Sequence, residues 1–241
     1  MDHLLISLII FLGVFIQTLS GFGLGLVVMP LLTQVIDVSL AAPLLALIAL
    51  VTLLTLSIFY GKNFEFTSMS RLIITSSVAI PFGIFCLKNL NETITLTFLG
   101  IIVLSYGFYS LFEFPFPLIS SPKWGYGFAF FSGLLSGAYN TGGPPIVIYA
   151  TCCRWPPEQF KSNLNVFLLS NVIVVLINHL IQHNVKPEVW QLFITNIPTI
   201  LIGLLAGFLT SKFIDFLLFR KLVLLLLIIM GSQLIIKVLL F

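Results

Sequence analysis

The chain has 241 residues, of which 59% are hydrophobic and only 8% are charged, and its net charge is +3. Soluble domains carry about 25% charged residues, so this composition excludes a soluble protein and predicts an all-α, multi-pass protein of the cell membrane. The few basic residues form no cluster, which argues against a nucleic-acid partner. The predicted surroundings of the protein are the lipid bilayer. The three cysteines match neither a disulfide framework nor a zinc spacing, so no metal site and no cofactor is predicted.

Eight hydrophobic blocks follow one another along the chain, and most are near the roughly 20 residues that a helix needs to cross a bilayer. No Lys or Arg precedes the first block, which is therefore expected to be a membrane segment and not a cleaved signal. The blocks span residues 4–36, 39–60, 72–87, 93–112, 124–153, 163–182, 189–211 and 217–240.

The first and fifth blocks are longer than the others and are interrupted in the middle. Each has about 30 residues, or roughly 45 Å as a helix, against a hydrocarbon core of about 30 Å. The first is broken at Ser20-Gly21-Phe22-Gly23-Leu24-Gly25, with Pro30 shortly after. The fifth is broken at Ser136-Gly137-Ala138-Tyr139-Asn140-Thr141-Gly142-Gly143-Pro144-Pro145. Because glycine and proline disfavour helix, we expect two irregular segments at membrane depth.

A long block followed by three shorter ones occurs twice, which predicts an internal repeat. Ser20-Gly21 aligns with Ser136-Gly137, and Ile80-Pro81 aligns with Ile197-Pro198. At one further offset Gly83, Lys88 and Gly107 match Gly207, Lys212 and Gly231. These matches predict an N-terminal transmembrane repeat, residues 1–114, and a C-terminal transmembrane repeat, residues 120–241.

The basic residues distinguish two arrangements of the long blocks. If each long block crosses once as a kinked helix, the two sides receive five and six basic residues, and the repeats run parallel. If each enters and returns as a re-entrant helical hairpin, the sides receive eight and three, the asymmetry typical of cytoplasmic and outer loops. The second arrangement, which we prefer, inverts the repeats and puts both termini outside. The larger group comprises Lys62, Arg71, Lys123, Arg154, Lys161, Lys212, Arg220 and Lys221.

The two breaks predict a binding site for an anion. Irregular backbone at membrane depth persists only where it is buried in protein or lines a cavity. Between inverted repeats the breaks would meet near the midplane, where the helices that follow them present N–H groups and partial positive charge. Pro144 suits a first helical turn, Asn140 or Thr141 is a candidate cap, and Gly142 and Gly143 would let a ligand approach the backbone. The predicted substrate-binding residues are Ser20, Gly21, Gly23, Gly25, Ser136, Gly137, Asn140, Thr141, Gly142, Gly143 and Pro144.

Four further polar residues are candidates for lining the pathway: Gln17, Asn163, Asn171 and Arg154. Gln17 lies one turn before the first break, and Asn163 and Asn171 share one face of the sixth block. Interhelical hydrogen bonding is an equal alternative for the two asparagines. Arg154 follows the second break, where it either attracts anions or is an ordinary anchor on the inner side. The carboxylates fall at block ends, which disfavours a cation carrier.

With these two motifs the chain resembles the TauE/SafE family of membrane anion permeases, also called the sulfite exporter family. The resemblance covers essentially the whole chain. Asn140-Thr141 departs from the more usual glycine-containing, apolar approach to the second glycine motif, and the first motif lacks a contiguous glycine triplet. The resemblance implies a secondary transporter, or permease, for a small inorganic or organic sulfur anion such as sulfite, thiosulfate or an organosulfonate.

Other functions stay open beside alternating-access transport. An anion channel would give flux that does not saturate, and a non-transporting assembly or sensor subunit would leave two polar breaks without a purpose. An enzyme is not expected, because the sequence has no His-Glu-x-x-His, no Gly-x-Ser-x-Gly and no paired carboxylates at depth. A homodimer through the lipid-facing side is compatible with the sequence, but no residue marks an interface.

Overall fold

The computed structural model describes residues 3–61, 64–112, 118–119, 121–211 and 213, together with 221, 224–225, 227–229, 231–233 and 235–236. Within its continuous stretches the secondary structure is α-helical. The helices are α1 (His3–Ser20), α2 (Leu24–Leu32), α3 (Val38–Tyr60), α4 (Phe66–Asn89), α5 (Glu92–Leu111), α6 (Lys123–Tyr139), α7 (Gly143–Cys152), α8 (Pro157–Ile181) and α9 (Pro187–Thr210).

Five of the helices are long and apolar enough to cross a membrane. They are α1, α3, α8, α9 and the part of α4 that covers Phe66–Cys86. Large apolar side chains also lie on outer faces, as Phe85 does with 65% of its surface exposed and Leu209 with 62%. Such faces suit contact with lipid chains. The predicted all-α architecture with several membrane-spanning helices is confirmed for the described residues.

Each of the two long hydrophobic blocks consists of two helices that lie side by side. α1 and α2 pack on each other, and a Cβ added at Gly13 of α1 would lie 2.0 Å from Cγ2 of Val28 in α2. In one continuous helix these residues would be roughly 22 Å apart. α6 and α7 pack in the same way, and a Cβ added at Gly125 would lie 2.9 Å from Cζ of Tyr149. Therefore α2 packs beside α1, and α7 packs beside α6.

The most extensive helix contact joins α4 to α6. A Cβ added at Gly125 would lie 2.9 Å from Leu72, and one added at Gly137 would lie 2.2 Å from the carbonyl oxygen of Ile80. Both positions advance together along the two helices, so α4 and α6 run in the same direction. The glycines let the two backbones approach closely, as small residues do between membrane helices.

α1 and α9 form a second parallel pair. Ser7, in the second turn of α1, donates from Oγ a hydrogen bond of 2.7 Å to Oδ1 of Asn196, which lies ten residues into α9. Near their ends a Cβ added at Gly207 would lie 2.5 Å from Cβ of Thr18. The part-buried hydroxyl of Ser7 and the buried amide of Asn196 are thereby paired within the protein, which stabilises two polar groups that lipid could not solvate.

α3 and α8 pack against each other in opposite directions. The ammonium group of Lys161, near the start of α8, lies 5.4 Å from the ring centroid of Tyr60 at the end of α3. Ala46 of α3 and Val175 of α8 share a buried apolar cluster. Because the start of one helix lies beside the end of the other, the two are antiparallel.

The last hydrophobic block is described only in part, and those parts are helical. It packs on α5: a Cβ added at Gly107 would lie 2.8 Å from Ile228, and one added at Gly231 would lie 2.7 Å from Leu104. The predicted boundary between the halves, at residues 114–120, lies mostly outside the described residues. The same holds for four basic residues of the topology count, namely Lys62, Lys212, Arg220 and Lys237.

Candidate functional site

The first break is a three-residue connection between α1 and α2, residues 21–23. Gly21 has φ +81° and Gly23 has φ +109°, backbone conformations that side chains with a Cβ rarely adopt. Buried Gln17 spans this connection with its amide. Its Nε2 donates to the carbonyl oxygen of Gly21 at 3.0 Å, and its Oε1 accepts from the N–H of Leu24 at 3.0 Å. Gln17 therefore pairs polar backbone groups on both sides of the break, a local structural role.

Ser20 is also committed to the backbone of the first break. Its hydroxyl contacts the carbonyl oxygens of Ile16, at 2.7 Å, and of Phe22. These contacts fix the chain where α1 ends. At the start of α2, the Leu24 N–H is bound to Gln17 and the Val27 N–H is bound to Gly23. Between them, the amide hydrogens of Gly25 and Leu26 have no carbonyl partner within the helix, because the first N–H groups of a helix lack one.

The second break begins at Asn140, which ends α6 with φ +54° in the left-handed region. The Asn140 N–H donates to the carbonyl oxygen of Ser136 at 2.9 Å, the single bond of the αL C-cap motif, and the Thr141 N–H donates to that of Leu135 at 3.2 Å. Asparagine tolerates this conformation better than most residues. The asparagine at this position therefore has a conformational explanation.

The expectation that Asn140 or Thr141 caps α7 is wrong. The N-cap position is occupied by Gly142, and no side chain there bonds to the helix. The Asn140 Nδ2 instead donates 2.9 Å away to the carbonyl oxygen of Ala42 in α3. Asn140 lies at the end of the preceding helix, so its amide reaches a neighbouring helix and not the turn that follows.

The start of α7 is tightly enclosed. The buried Ser132 hydroxyl donates to the carbonyl oxygen of Gly142 at 2.5 Å, and a Cβ added at Gly142 would lie 1.9 Å from Ser136 Oγ. Buried Pro144 follows in the first turn, as predicted from its fixed φ. Of the first three residues of α7, only Gly143 carries an amide hydrogen, because Pro144 and Pro145 have none.

The two breaks lie against each other. A Cβ added at Gly25 would lie 2.0 Å from the carbonyl oxygen of Asn140 and 3.3 Å from Cα of Thr141. One added at Gly143 would lie 3.8 Å from Cβ of Phe22. The N-termini of α2 and α7 therefore approach one common region of the molecule, bounded by residues 22–25 and 140–143.

The polar face of α8 borders this region. Asn171 is fully buried and its Nδ2 donates to Ser136 Oγ at 3.0 Å. The equally buried Asn165 reaches the first break, since a Cβ added at Gly21 would lie 3.9 Å from its Nδ2. Asn163 points elsewhere, with its Oδ1 accepting from the N–H of Glu65 at 3.0 Å.

Sequence reasoning missed Asn165 and Ser132. A weak signal existed for each: Asn165 repeats Asn163 two residues later, and Ser132 precedes Ser136 by one helical turn. Neither signal shows which helix a side chain faces.

Two further predicted residues, besides Asn163, lie away from the breaks. Gly137 faces α4, where its backbone approaches Ile80. Arg154 is exposed in the turn after α7, in the left-handed conformation with φ +51°. The ten residues of α7, about 15 Å of helix, separate Arg154 from the second break.

The region between the breaks offers N–H groups, hydroxyls and amides. A cationic side chain borders it, since Cγ of Lys161 lies 3.9 Å from a Cβ added at Gly21. Asp37, Glu65, Glu158 and Glu188, whose side chains the structure describes, are all exposed. In the described part of the chain no three His, Cys, Asp or Glu side chains gather as a metal site requires. Buried backbone N–H groups without nearby carboxylates favour an anion over a cation.

The helices and their buried polar breaks define the class of this chain: a multi-pass protein of the cell membrane. Comparison with protein families then gives its membership. The model of the family described as "Sulfite exporter TauE/SafE" matches residues 5–234. The chain belongs to the TauE/SafE family, and the predicted resemblance is confirmed. This is a family of transporters and not of enzymes.

A curated relative carries the same family name. The protein described as "Probable sulfite/organosulfonate exporter TauE" from Cupriavidus necator is 31% identical over 143 residues. The match covers 56% of this chain and 55% of that protein. The chain thus spans about half the length of this curated relative. No solved structure matches the chain significantly.

Proposed function

We propose that this protein is a secondary transporter for a small sulfur-containing oxyanion, such as sulfite, thiosulfate or an organosulfonate. The observation that carries the proposal is the juxtaposition of the two breaks, with the N-terminus of α2 beside the C-terminus of α6 and the start of α7. The name of the Cupriavidus necator relative supports the substrate class.

The anion would be held by backbone N–H groups. The amide hydrogens that have no carbonyl partner within their helix belong to Gly25 and Leu26 of α2 and to Gly143 of α7. Pro144 and Pro145, which follow Gly143, have no amide hydrogen. Both helix ends carry partial positive charge, which favours a negative ligand without a buried cation. With so few donors, the site suits a compact anion.

The packing supports two repeats related by a two-fold axis. α4 of the first half packs on α6, the opening helix of the second, while α9 packs on α1. Gly83 approaches Leu134, and its predicted counterpart Gly207 approaches Thr18. The contacts of one half therefore recur in the other.

The directions of α3 and α8 favour inverted over parallel repeats. The two helices occupy the same place in each half and lie next to each other, so the axis runs between them. Lys161 beside Tyr60 at one end, with Ala46 near Val175 further along, makes them antiparallel. An axis along the membrane normal would leave them parallel, whereas an axis in the membrane plane reverses one of them.

On this basis the α1–α2 and α6–α7 pairs are re-entrant hairpins that enter from opposite sides. The two halves would then rock about the site between the breaks, exposing the anion to each side in turn.

Flux into proteoliposomes tests the proposal. Labelled sulfite, thiosulfate, sulfate and a small sulfonate are presented in turn, with and without a proton gradient. We expect saturable flux of a sulfur oxyanion that is accelerated by the same unlabelled anion on the opposite side. Flux that neither saturates nor shows this counterflow would favour a channel. Absence of flux from folded protein would favour a non-transporting subunit.

Gly143→Ala tests the location of the site. The added methyl meets Phe22 at ordinary contact distances of 3.8 and 4.0 Å, so folding should be unaffected. Alanine keeps its N–H, but its methyl would hold the anion away from that amide hydrogen. We therefore expect at least a tenfold loss of kcat/KM, the effect of losing a charge-assisted hydrogen bond of about 1.5–3 kcal/mol. Gly127→Ala is the matched control, because a Cβ there lies within 4 Å of no atom of the described residues. Unchanged transport by Gly143→Ala would rule out this site.

A further inference from the structure

The region between the breaks contains buried side-chain oxygens that form no hydrogen bond with a described group. They are the side-chain oxygens of Asn140, Thr141, Asn165 and Asn171, each buried and without a partner in the described part of the chain. Thr141 is only 2% exposed, and Asn165 and Asn171 are fully buried. Buried polar atoms are normally paired, so each of these oxygens calls for a ligand or a water molecule.

For two of the asparagines the free atom is the oxygen whichever way the amide is assigned. The Nδ2 of Asn140 donates to the carbonyl oxygen of Ala42 at 2.9 Å, and that of Asn165 donates to Lys161 at 2.8 Å. A carbonyl oxygen accepts only, so turning either amide over would break these bonds. The side-chain atom that has no partner in Asn140 and in Asn165 is therefore a hydrogen-bond acceptor.

These oxygens lie in a region that offers an anion few hydrogen-bond donors. Near the second break, Gly143 supplies the only amide hydrogen in the first three residues of α7. Thr141 lies between the breaks, with its Cα 3.3 Å from a Cβ added at Gly25. The amide oxygens of Asn140 and Asn165 accept only, so they would repel an oxyanion unless it presents a hydrogen of its own, whereas the Thr141 hydroxyl can both accept and donate.

We propose that the second break recognises a hydrogen-bond donor on the substrate, and that the preferred substrate is a small sulfonate bearing an O–H or N–H group. The inference rests on the proposed transport function. The sulfonate oxygens face the amide hydrogens of Gly25 and Leu26, and the donor of the substrate bonds to Thr141 Oγ1 and Asn140 Oδ1. The protein thus donates hydrogen bonds to one end of the ligand and accepts a hydrogen bond from the other end.

Competition against labelled sulfite flux tests the inference. Isethionate ends in a hydroxyl, and propanesulfonate has a methyl in the same place. Wild-type protein should bind isethionate about tenfold more tightly, the effect of one net hydrogen bond. Thr141→Val keeps the side-chain shape and removes the hydroxyl, so it should weaken isethionate binding about tenfold and leave propanesulfonate binding unchanged.

Two controls accompany this variant. Thr141→Ser retains the hydroxyl and should retain the preference for isethionate. Thr151→Val makes the same change at an exposed position of α7, where the hydroxyl bonds to the carbonyl oxygen of Val147, and should behave as wild type.

Three results would overturn the inference. In the first, Thr141→Val weakens the binding of isethionate and propanesulfonate equally; in the second, neither sulfonate competes with labelled sulfite. In the third, transport requires Na⁺ and Thr141→Val changes the Na⁺ concentration that it needs. The last would assign the oxygens to a co-transported cation. In all three, saturable sulfite flux leaves the proposed transport function standing. Absence of saturable sulfite flux would remove the proposed function itself, and the inference with it.

Discussion

Gly25 is the point at which an added methyl group would force the two breaks apart. A Cβ there would lie 2.0 Å from the Asn140 carbonyl oxygen, where ordinary contact begins at 3.4 Å. The separation must therefore increase by the difference of 3.4 and 2.0, or 1.4 Å. The obstacle is backbone, held by the bond from Asn140 Nδ2 to Ala42, so a side-chain rotation cannot relieve it.

We expect Gly25→Ala to destabilise the protein by about 1–3 kcal/mol, the usual cost of overpacking a close-packed interior. At about 2–4 °C per kcal/mol for a chain of this size, the midpoint of thermal unfolding should fall by several degrees. Transport should fall further than stability alone explains, because the helix starts that bind the anion are moved apart. A displacement of this size can reduce rates by about a hundredfold.

The assay is thermal unfolding in detergent, followed by sulfite flux per folded molecule in proteoliposomes. Gly127→Ala again serves as the control, since it makes the same change in open space. If Gly25→Ala matched wild type in both unfolding and flux, the close approach of the two breaks would be refuted. A loss of stability with normal flux would refute their role in binding.

Two further changes test the structure around the site. Gln17→Leu removes both hydrogen bonds that span the first break, so we expect a loss of about 1–3 kcal/mol in the free energy of unfolding, measured by thermal denaturation; equal stability would deny Gln17 its bridging role. Single cysteines replacing exposed Asn89 and Glu158, in a background without native cysteines, should be labelled by an impermeant thiol reagent from opposite sides of the membrane; labelling from one side would favour parallel repeats.

The positions of the breaks could be predicted because they depend on local chemistry. Glycine and proline weaken a helix wherever they occur, and Gly21, Gly23 and Gly142–Gly143 lie in or at the ends of the two connections. From the distribution of basic residues, the sequence favoured long blocks that fold back over long blocks that cross once. The contact between Gly13 and Val28 shows that α2 packs beside α1. Such a contact belongs to the tertiary structure, which local sequence patterns do not determine.

The functions of individual polar residues were harder to predict, because they depend on which helix each side chain faces. Gly137 belongs to the sequence motif but packs against Ile80 of α4. Asn140 was expected to cap α7 and instead ends α6 and bonds to α3. Asn165 reaches the first break while Asn163, two residues earlier, bonds to the backbone of Glu65. A single sequence gives the helical face of each residue but not the neighbour on that face.

The most direct test of the central claim is to locate a bound anion. Selenite is the selenium analogue of sulfite, and its anomalous scattering would mark its position in crystals of the wild-type protein. We expect a single strong peak between the starts of α2 and α7, within hydrogen-bonding distance of the amide nitrogens of Gly25 and Gly143. A peak at an exposed cation such as Arg154, with nothing between the breaks, would contradict the claim that the two breaks form one anion site.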